Sequence, residues 1–276
     1  MANTESDAEK IPSERMDALR RRLSECGSLL VAFSGGVDSS FLLGVAAQEL
    51  PGSVLAVTVR SPLNPESEME TAREQAALIG VPHMVVDLDP LADDGVATNP
   101  PDRCYHCKRA IFNRLRQIAD ERGIAHIAHG ENADDSGDFR PGRRAADELG
   151  IIAPLAEAGL TRREIRRLSR EIGLPDWDRP SMACLASRVP YGTVLTPEVL
   201  QQVARAEETL RELQPGQLRV RHHGPVARIE VPPDQIARLA DPQLRGEIVR
   251  RVKLAGYNYV TLDLEGFRSG SANEVL

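Results

Sequence analysis

Aromatic residues are scarce in this sequence of 276 residues, at 4%. So few rings offer little platform for stacked bases, which argues against a single-stranded nucleic-acid binder. Basic charge is in deficit too: 34 Lys and Arg stand against 41 Asp and Glu, a net charge of −7. That argues against a general nucleic-acid coat and a basic membrane-surface protein, while a local basic pocket for phosphates stays compatible with it. No run of 18 apolar residues is present, so no membrane-spanning helix is expected. The N-terminal MANTESDAEKIPSERMDALRRRL has no apolar core ahead of its charges, so no secretory signal is expected and the cytoplasm is the expected location. Cysteine is limited to four residues, which in that compartment point to chemistry or metal binding rather than disulfides. What is present is ordinary for a globular chain, with 41% hydrophobic and 27% charged residues. A chain this long buries a sizeable core without staples.

Short apolar runs alternate with helical periodicity. Helical spacing covers 12–25 through Met16, Leu19 and Leu23, and SLLVAF (28–33) follows as a buried strand. FLLGVAAQEL then reads as a helix, SVLAVTV (53–59) as a strand, 65–79 as a helix and VPHMVVDLD (81–89) as a strand. Residues 105–122 are again helical, and IAHIAHG (124–130) is a fourth strand. This alternation predicts an α/β fold with a doubly wound parallel sheet. Past residue 175 the pattern changes. DWDRPSMACLASRVPYG (176–192) reads as an ordered functional loop, since a flexible linker seldom holds Trp177, Cys184 and Tyr191. Thr196 is a candidate N-cap with Pro197 at the first helical position. QLRVRHHGPVARIEV (217–231) reads as two strands turning at His223–Pro225, followed by a helix over 241–254 and a strand over 257–264. The expected organisation is a first domain over 1–175, a cysteine loop over 176–192 and a small α+β domain over 193–276.

Ser34-Gly35-Gly36-Val37-Asp38-Ser39-Ser40 joins the first strand to a helix. Two glycines let the backbone approach an anion, and the N–H groups and dipole of the helix start hold phosphate oxygens. Ser34, Ser39 and Ser40 add hydroxyl donors, and Asp38 is a candidate Mg²⁺ ligand on a nucleotide. The Gly-Lys-Ser/Thr ending of a Walker A loop is absent. SGGVDSS resembles the PP-loop of the N-type ATP pyrophosphatases, which cleave ATP to AMP and pyrophosphate. In that resemblance Gly130, Asn132 and Asp134 of GENADD (130–135) complete the nucleotide pocket, with Asp134 and Asp135 as further magnesium candidates.

Cys104-Tyr105-His106-Cys107 is a lone C-x-x-C, open to readings as half a metal site, a redox pair or two buried thiols. With Cys184 it makes three thiolates, enough for a 4Fe–4S cluster with one iron left open. Alternatively Cys184 acts alone as a nucleophile beside Arg188. Cys26 reads as a small buried hydrophobe. Arg219 and Arg221 share one strand face and suit a phosphate or carboxylate, and Arg228 and Glu230 share a face on the next strand. His126, His129, His222 and His223 show no metal-ligand spacing.

SGGVDSS, GENADDSGDFRPG, RPSMACLASRVPYG, RVRHHGPVARIEV and YVTLDLEGFRSGS occur here in the order in which they occur in LarE-type proteins, and the resemblance runs from about residue 13 to 273. It implies ATP-dependent sulfur transfer to a pyridinium-3,5-dicarboxylate mononucleotide during synthesis of the nickel-pincer nucleotide cofactor. It implies ATP and Mg²⁺ as cofactors, Cys184 and Asp38 as catalytic residues, and Ser187, Arg188, Arg219 and Arg221 as substrate contacts. Glu207 and Glu230 match acidic positions near the active site. Family members that carry the additional C-x-x-C, as here at Cys104 and Cys107, imply a 4Fe–4S cluster as the sulfur carrier, and the three cysteines favour that route over sacrifice of Cys184. The implied partners are a small nucleotide substrate, other proteins of that cofactor's synthesis and further copies of this chain, with no membrane and no nucleic acid. Glu131 departs from the family's Thr. A PP-loop tRNA thiolase and an amide-forming PP-loop synthetase are the enzymatic rivals. The first lacks a basic path for RNA, and the second leaves Cys184 without a role.

Overall fold

The computed structural model describes residues 4–137, 141–180, 182–213, 216–268 and 270–274. Asp138, Phe139, Arg140, Ser181 and Ser269, which belong to three of the motifs above, lie outside the described residues. In chain order the helices and strands are α1 (Thr4–Ser24), β1 (Leu29–Ala32), α2 (Val37–Glu49), β2 (Val54–Arg60), α3 (Glu66–Ile79), β3 (His83–Asp87), α4 (Asp94–Ala97), α5 (Arg103–Glu121), β4 (His126–His129), α6 (Pro141–Glu148), α7 (Pro154–Glu157), α8 (Arg162–Glu171), α9 (Pro197–Arg211), β5 (Arg219–His223), β6 (Val226–Glu230), α10 (Ile236–Ala240), α11 (Pro242–Leu254) and β7 (Tyr259–Leu262). Short 3₁₀ turns fall between them, including Ala133–Gly137 and Leu185–Arg188. They form two compact units. The first uses the described residues within 1–61, 66–88 and 104–181, the second those within 62–65, 89–103 and 182–276.

The first unit is the doubly wound α/β layer that the alternation predicts. Its four strands are parallel in the order β3-β2-β1-β4. The apolar run Leu29–Ala32 suits a strand covered on both faces. Leu29 and Val31 pack with α1, α2, α3 and α8 on one face, and Leu30 packs with α5 and α6 on the other. Each large aliphatic side chain buried there contributes about 1.5–3 kcal/mol. Cys26 is buried in the first of these clusters. Because β2 and β4 flank β1 on opposite sides, the chain reverses direction across the sheet at β1. Ligands of open α/β sheets bind at the carboxyl ends of strands at such a switch point.

Helix α8 begins with a capping box. Thr161 Oγ1 accepts from the Glu164 N–H, and the Glu164 carboxylate accepts from the Thr161 N–H. This T-x-x-E signal, with Ile165 and Leu168 as buried neighbours, sits in the stretch 141–171 for which the sequence reading defines no helix.

In the second unit β5 and β6 are antiparallel and β7 is parallel to β6, in the order β5-β6-β7. Val220 and Ile229 point into a core with Leu210 of α9 and Val252 of α11, so Arg219 and Arg221 occupy the other face of β5. Thr196 caps α9 by accepting from the Val199 N–H, with Pro197 at its first position. Main-chain hydrogen bonds join the two short excursions to the segment after Met182: Leu185 N–H to Leu63 O (2.8 Å), Gly192 N–H to Asn99 O (2.9 Å) and Leu195 N–H to Ala97 O (2.8 Å).

Candidate active site

In the first unit the SGGVDSS segment leaves β1 and turns directly into α2. Gly35 has φ +72°, and a Cβ there would lie 3.0 Å from the backbone of Ala72 on α3. Only glycine fits that position without strain. Gly36 is the N-cap of α2, and no side chain closes the cap. The first-turn N–H groups and the positive end of the helix are therefore open to an anion. The serines tie the loop to itself. Ser39 Oγ donates to Gly36 O (3.0 Å), lies 3.1 Å from Ser34 Oγ, and accepts from the Ser34 N–H (3.4 Å). Ser34 Oγ accepts from the Gly36 N–H at 3.3 Å. Ser40 Oγ is buried with no hydrogen-bond partner among the described residues.

The turn after β4 closes on this loop. A Cβ on Gly130 would come within 2.8 Å of the Ser39 nitrogen, so a second glycine is required by close approach. Asn132 Nδ2 donates to Asp38 Oδ2 at 2.8 Å, while its Oδ1 accepts from the Asp134 N–H. Burial pushes the Asp38 carboxyl above the ordinary aspartate value, with Asp135 adding to the rise. The Asn132 bond, Arg162 and Arg166 pull against it. Asp134 turns away to accept from the Arg162 N–H (2.8 Å). Asp135, which pairs with the Arg162 guanidinium at 2.9 Å, is the carboxylate whose charge reaches Asp38. Nothing in the sequence pattern singles out Arg162 and Arg166. They stand four residues apart on α8, on one face of the helix. Arg166 also holds the carbonyls of Trp177 and Arg179, and Gln75 Nε2 donates to Asp176 Oδ2 at 2.8 Å.

Asp38 Oδ1 accepts no hydrogen bond from a described residue. Mg²⁺ on a nucleotide takes one or two carboxylate oxygens and completes its shell with phosphates and water, and Asp38 fits that need. Cys104 and Cys107 lie three residues apart on the first turns of α5, half-buried and in no disulfide. No group of three or more His, Cys, Asp or Glu among the described residues is placed to hold a metal ion.

In the second unit Cys184 is half-buried at the start of the Leu185–Arg188 turn. Arg188 is one of the most buried side chains of the protein, at 1% exposure. Its Nε and Nη2 meet both oxygens of Glu207 at 2.9 and 3.1 Å. Its Nη1 donates to the carbonyls of Ala183 and Cys184 and to Ser187 Oγ. The guanidinium beside Cys184 is thus neutralised by Glu207 and grips the loop by its backbone. Burial drives the Glu207 carboxyl up, but Arg188, Arg211 and Arg219 outweigh it and hold the group below the usual carboxylate range. Arg221 donates to Ser187 O (2.8 Å) and Ser271 Oγ (3.0 Å) and pairs with Glu230 at 2.7 Å. Arg219 lies over the Phe267 ring at 5.5 Å. Burial, with Arg188, Arg211 and Arg221 nearby, lowers its pKa to about 10. It stays charged at neutral pH, a desolvated cation suited to an anion.

A parallel sheet carrying SGGVDSS at its switch point, with Asp38 held by the turn after β4, defines a PP-loop nucleotide-binding α/β enzyme. The asparagine synthase family matches residues 15–120. Several proteins are similar to the chain over most of its length. It is 42% identical to the uncharacterized protein slr1717 of Synechocystis, over 95% of this chain and 98% of that one. It is 38% identical to the pyridinium-3,5-bisthiocarboxylic acid mononucleotide synthase of Lactiplantibacillus plantarum, over 92% of both. It is 28% identical to the uncharacterized protein MJ0830 of Methanocaldococcus jannaschii, over 87% of this chain and 91% of that one. The chain belongs to the family of that synthase, the LarE-type ATP-dependent sulfur transferases.

Proposed function

We propose that this protein adenylates the carboxylates of pyridinium-3,5-dicarboxylic acid mononucleotide with ATP and converts them to thiocarboxylates, in synthesis of the nickel-pincer nucleotide cofactor. The likeness to the synthase over 92% of both chains carries the reading. A carboxylate is a poor electrophile because its leaving group is oxide. Its attack on the α-phosphate of ATP releases pyrophosphate and makes AMP the leaving group. The open first turn of α2 and the loop serines hold phosphate oxygens as negative charge develops on them. Mg²⁺, when bound at Asp38, offsets that charge.

Sulfur then attacks the acyl carbon and AMP departs. With Cys184 as the donor, its thiolate forms a thioester. Loss of the Cα proton and cleavage of Cβ–S then leave the sulfur on the product and dehydroalanine at position 184. Arg188 holds the carbonyls on either side of the Cys184 Cα, and Arg219 and Arg221 suit the substrate's phosphate. The alternative donor in the proposal is a 4Fe–4S cluster on Cys104, Cys107 and Cys184, which when bound supplies sulfide. The adjacent pair on α5 suits two of its thiolate ligands. Further copies of this chain and other proteins of the cofactor's synthesis are its proposed partners, in the cytoplasm.

The test is pyrophosphate release and thiocarboxylate formation with the dicarboxylate mononucleotide, alongside iron and sulfide content after anaerobic purification. Release dependent on that substrate supports the reading, and its absence overturns it. Iron that is lost in Cys104→Ala assigns the cluster route. Iron-free thiolation with a mass loss of one H₂S at residue 184 assigns the sacrificial one.

A further inference from the structure

Strand β4 ends at His129, and the chain runs on through Gly130 to Glu131. Ile127 packs on the α5–α6 side of the sheet and Ala128 on the α2 side. Alternation therefore sends His129 to the α5–α6 side, where its ring lies 5.6 Å from Phe112. A cavity of about 270 Å³ opens there, and His129 and Glu131 both line it. The two are only 7% and 6% exposed. Apolar side chains, among them Ala133, Ala146 and Ile151, line part of it. Arg143, Asp147 and Glu157 line it from exposed positions.

Glu131 has no hydrogen bond to its carboxylate from any described residue, and its neighbours stand off. His129 Nε2 is 3.7 Å from Oε2, and Arg143 Nε is 3.6 Å from Oε1. The imidazole supplies no counter-charge. Burial, with Lys108 and Arg143 nearby, pushes its pKa down to about 3. A buried carboxylate is costly unless it is paired and hydrogen-bonded. Glu157 is engaged by Arg22 at 2.7 Å and by the Ala153 N–H at 3.1 Å. Among the described residues, Glu131 and Asp147 share the cavity lining with the Arg143 guanidinium, and the Lys108 charge stands near His129.

We propose that this cavity is a binding site for a small primary amine, whose ammonium group pairs with Glu131 while its short apolar body lies against the alanine walls. The volume is below the roughly 300–1,000 Å³ of drug-sized sites, which limits the occupant to a small molecule. The cavity is distinct from the nucleotide loop, although Glu131 directly precedes Asn132, which holds Asp38.

The test is a calorimetric titration of the full chain with n-butylamine, with butyrate and n-butanol as controls and no ATP present. Saturable binding of the amine and none of butyrate is expected. Glu131→Gln should weaken it by about tenfold, the loss of one charged contact. Arg143→Ala should tighten it, because it removes the guanidinium 3.6 Å from Glu131 that competes with the amine. No saturable amine binding, equal binding of butyrate, or equal affinity in the wild type and both variants overturns the proposal. Arg143 is exposed, so its variant decides the question even where Glu131→Gln fails to fold.

Discussion

Asn132 Nδ2 donates a 2.8 Å hydrogen bond to Asp38 Oδ2 across 94 positions of sequence. It is the tie between the turn after β4 and the phosphate loop after β1. It favours the ionised form of a carboxyl that burial pushes the other way.

Removing that tie in Asn132→Ala raises the Asp38 pKa further. The proposed mechanism uses the ionised carboxylate, so the acid limb of pyrophosphate release should move to higher pH. A hydrogen bond to a charged group is worth about 1.5–3 kcal/mol, enough to displace that limb measurably. A pH–rate profile from 5 to 9 checks both the direction and the size.

Asp38→Asn separates activity from stability. A carboxyl whose folded pKa is raised above its unfolded value favours the protonated native state, so its ionisation destabilises the fold as pH rises. The amide removes that cost. Pyrophosphate release should vanish while the melting temperature at pH 7 stays equal or rises. Normal release by the variant would remove Asp38 from the mechanism.

Glu207→Ala leaves Arg188 buried without its counter-ion, a loss of about 3–5 kcal/mol by comparison with broken buried pairs. Denaturant unfolding should show this loss. Because the folded Glu207 pKa is depressed, its contribution is present above the unfolded carboxyl pKa and is lost as pH falls through the lower folded value. The milder Arg188→Lys keeps a charge but loses the Nη1 that holds Ala183 O and Cys184 O while the rest of the fork meets Glu207. Alkylation of Cys184, followed by mass spectrometry, should become faster in that variant. An unchanged rate would show that the clamp does not restrain the loop.

Gly35→Ala forces a side chain into left-handed backbone against Ala72. The strain is about 1–3 kcal/mol. ATP affinity should fall together with the melting temperature. Gly52→Ala, at φ +77° with open space around it, should lower stability without touching ATP binding.

Much of this was legible in the sequence. Apolar runs such as Leu29–Ala32 and the alternation around them place the parallel sheet, because burial on both faces demands continuous hydrophobicity. The Thr196–Pro197 cap and the turn between β5 and β6 also stand where their residue types put them. α8 had a readable signal in its capping box, yet its two site-facing arginines look like any polar helix face in one dimension. Asp134 and Asp135 cannot be told apart by position. Only the start of α8 decides that the first caps Arg162 and the second reaches Asp38.

The sequence by itself determined the local chemistry: a glycine pair before a helix start, a serine-rich loop, a cysteine in a Pro- and Ser-containing loop, and two arginines on one strand face. These follow from backbone sterics and side-chain period, which act within a few residues. The tertiary structure decided the partners. It gave Arg188 to Glu207, Arg221 to Glu230, Asn132 to Asp38, and left Glu131 in a cavity with no hydrogen bond from a described residue. A long charged side chain reaches several elements with similar ease, and burial selects among them by penalising every charge left unpaired.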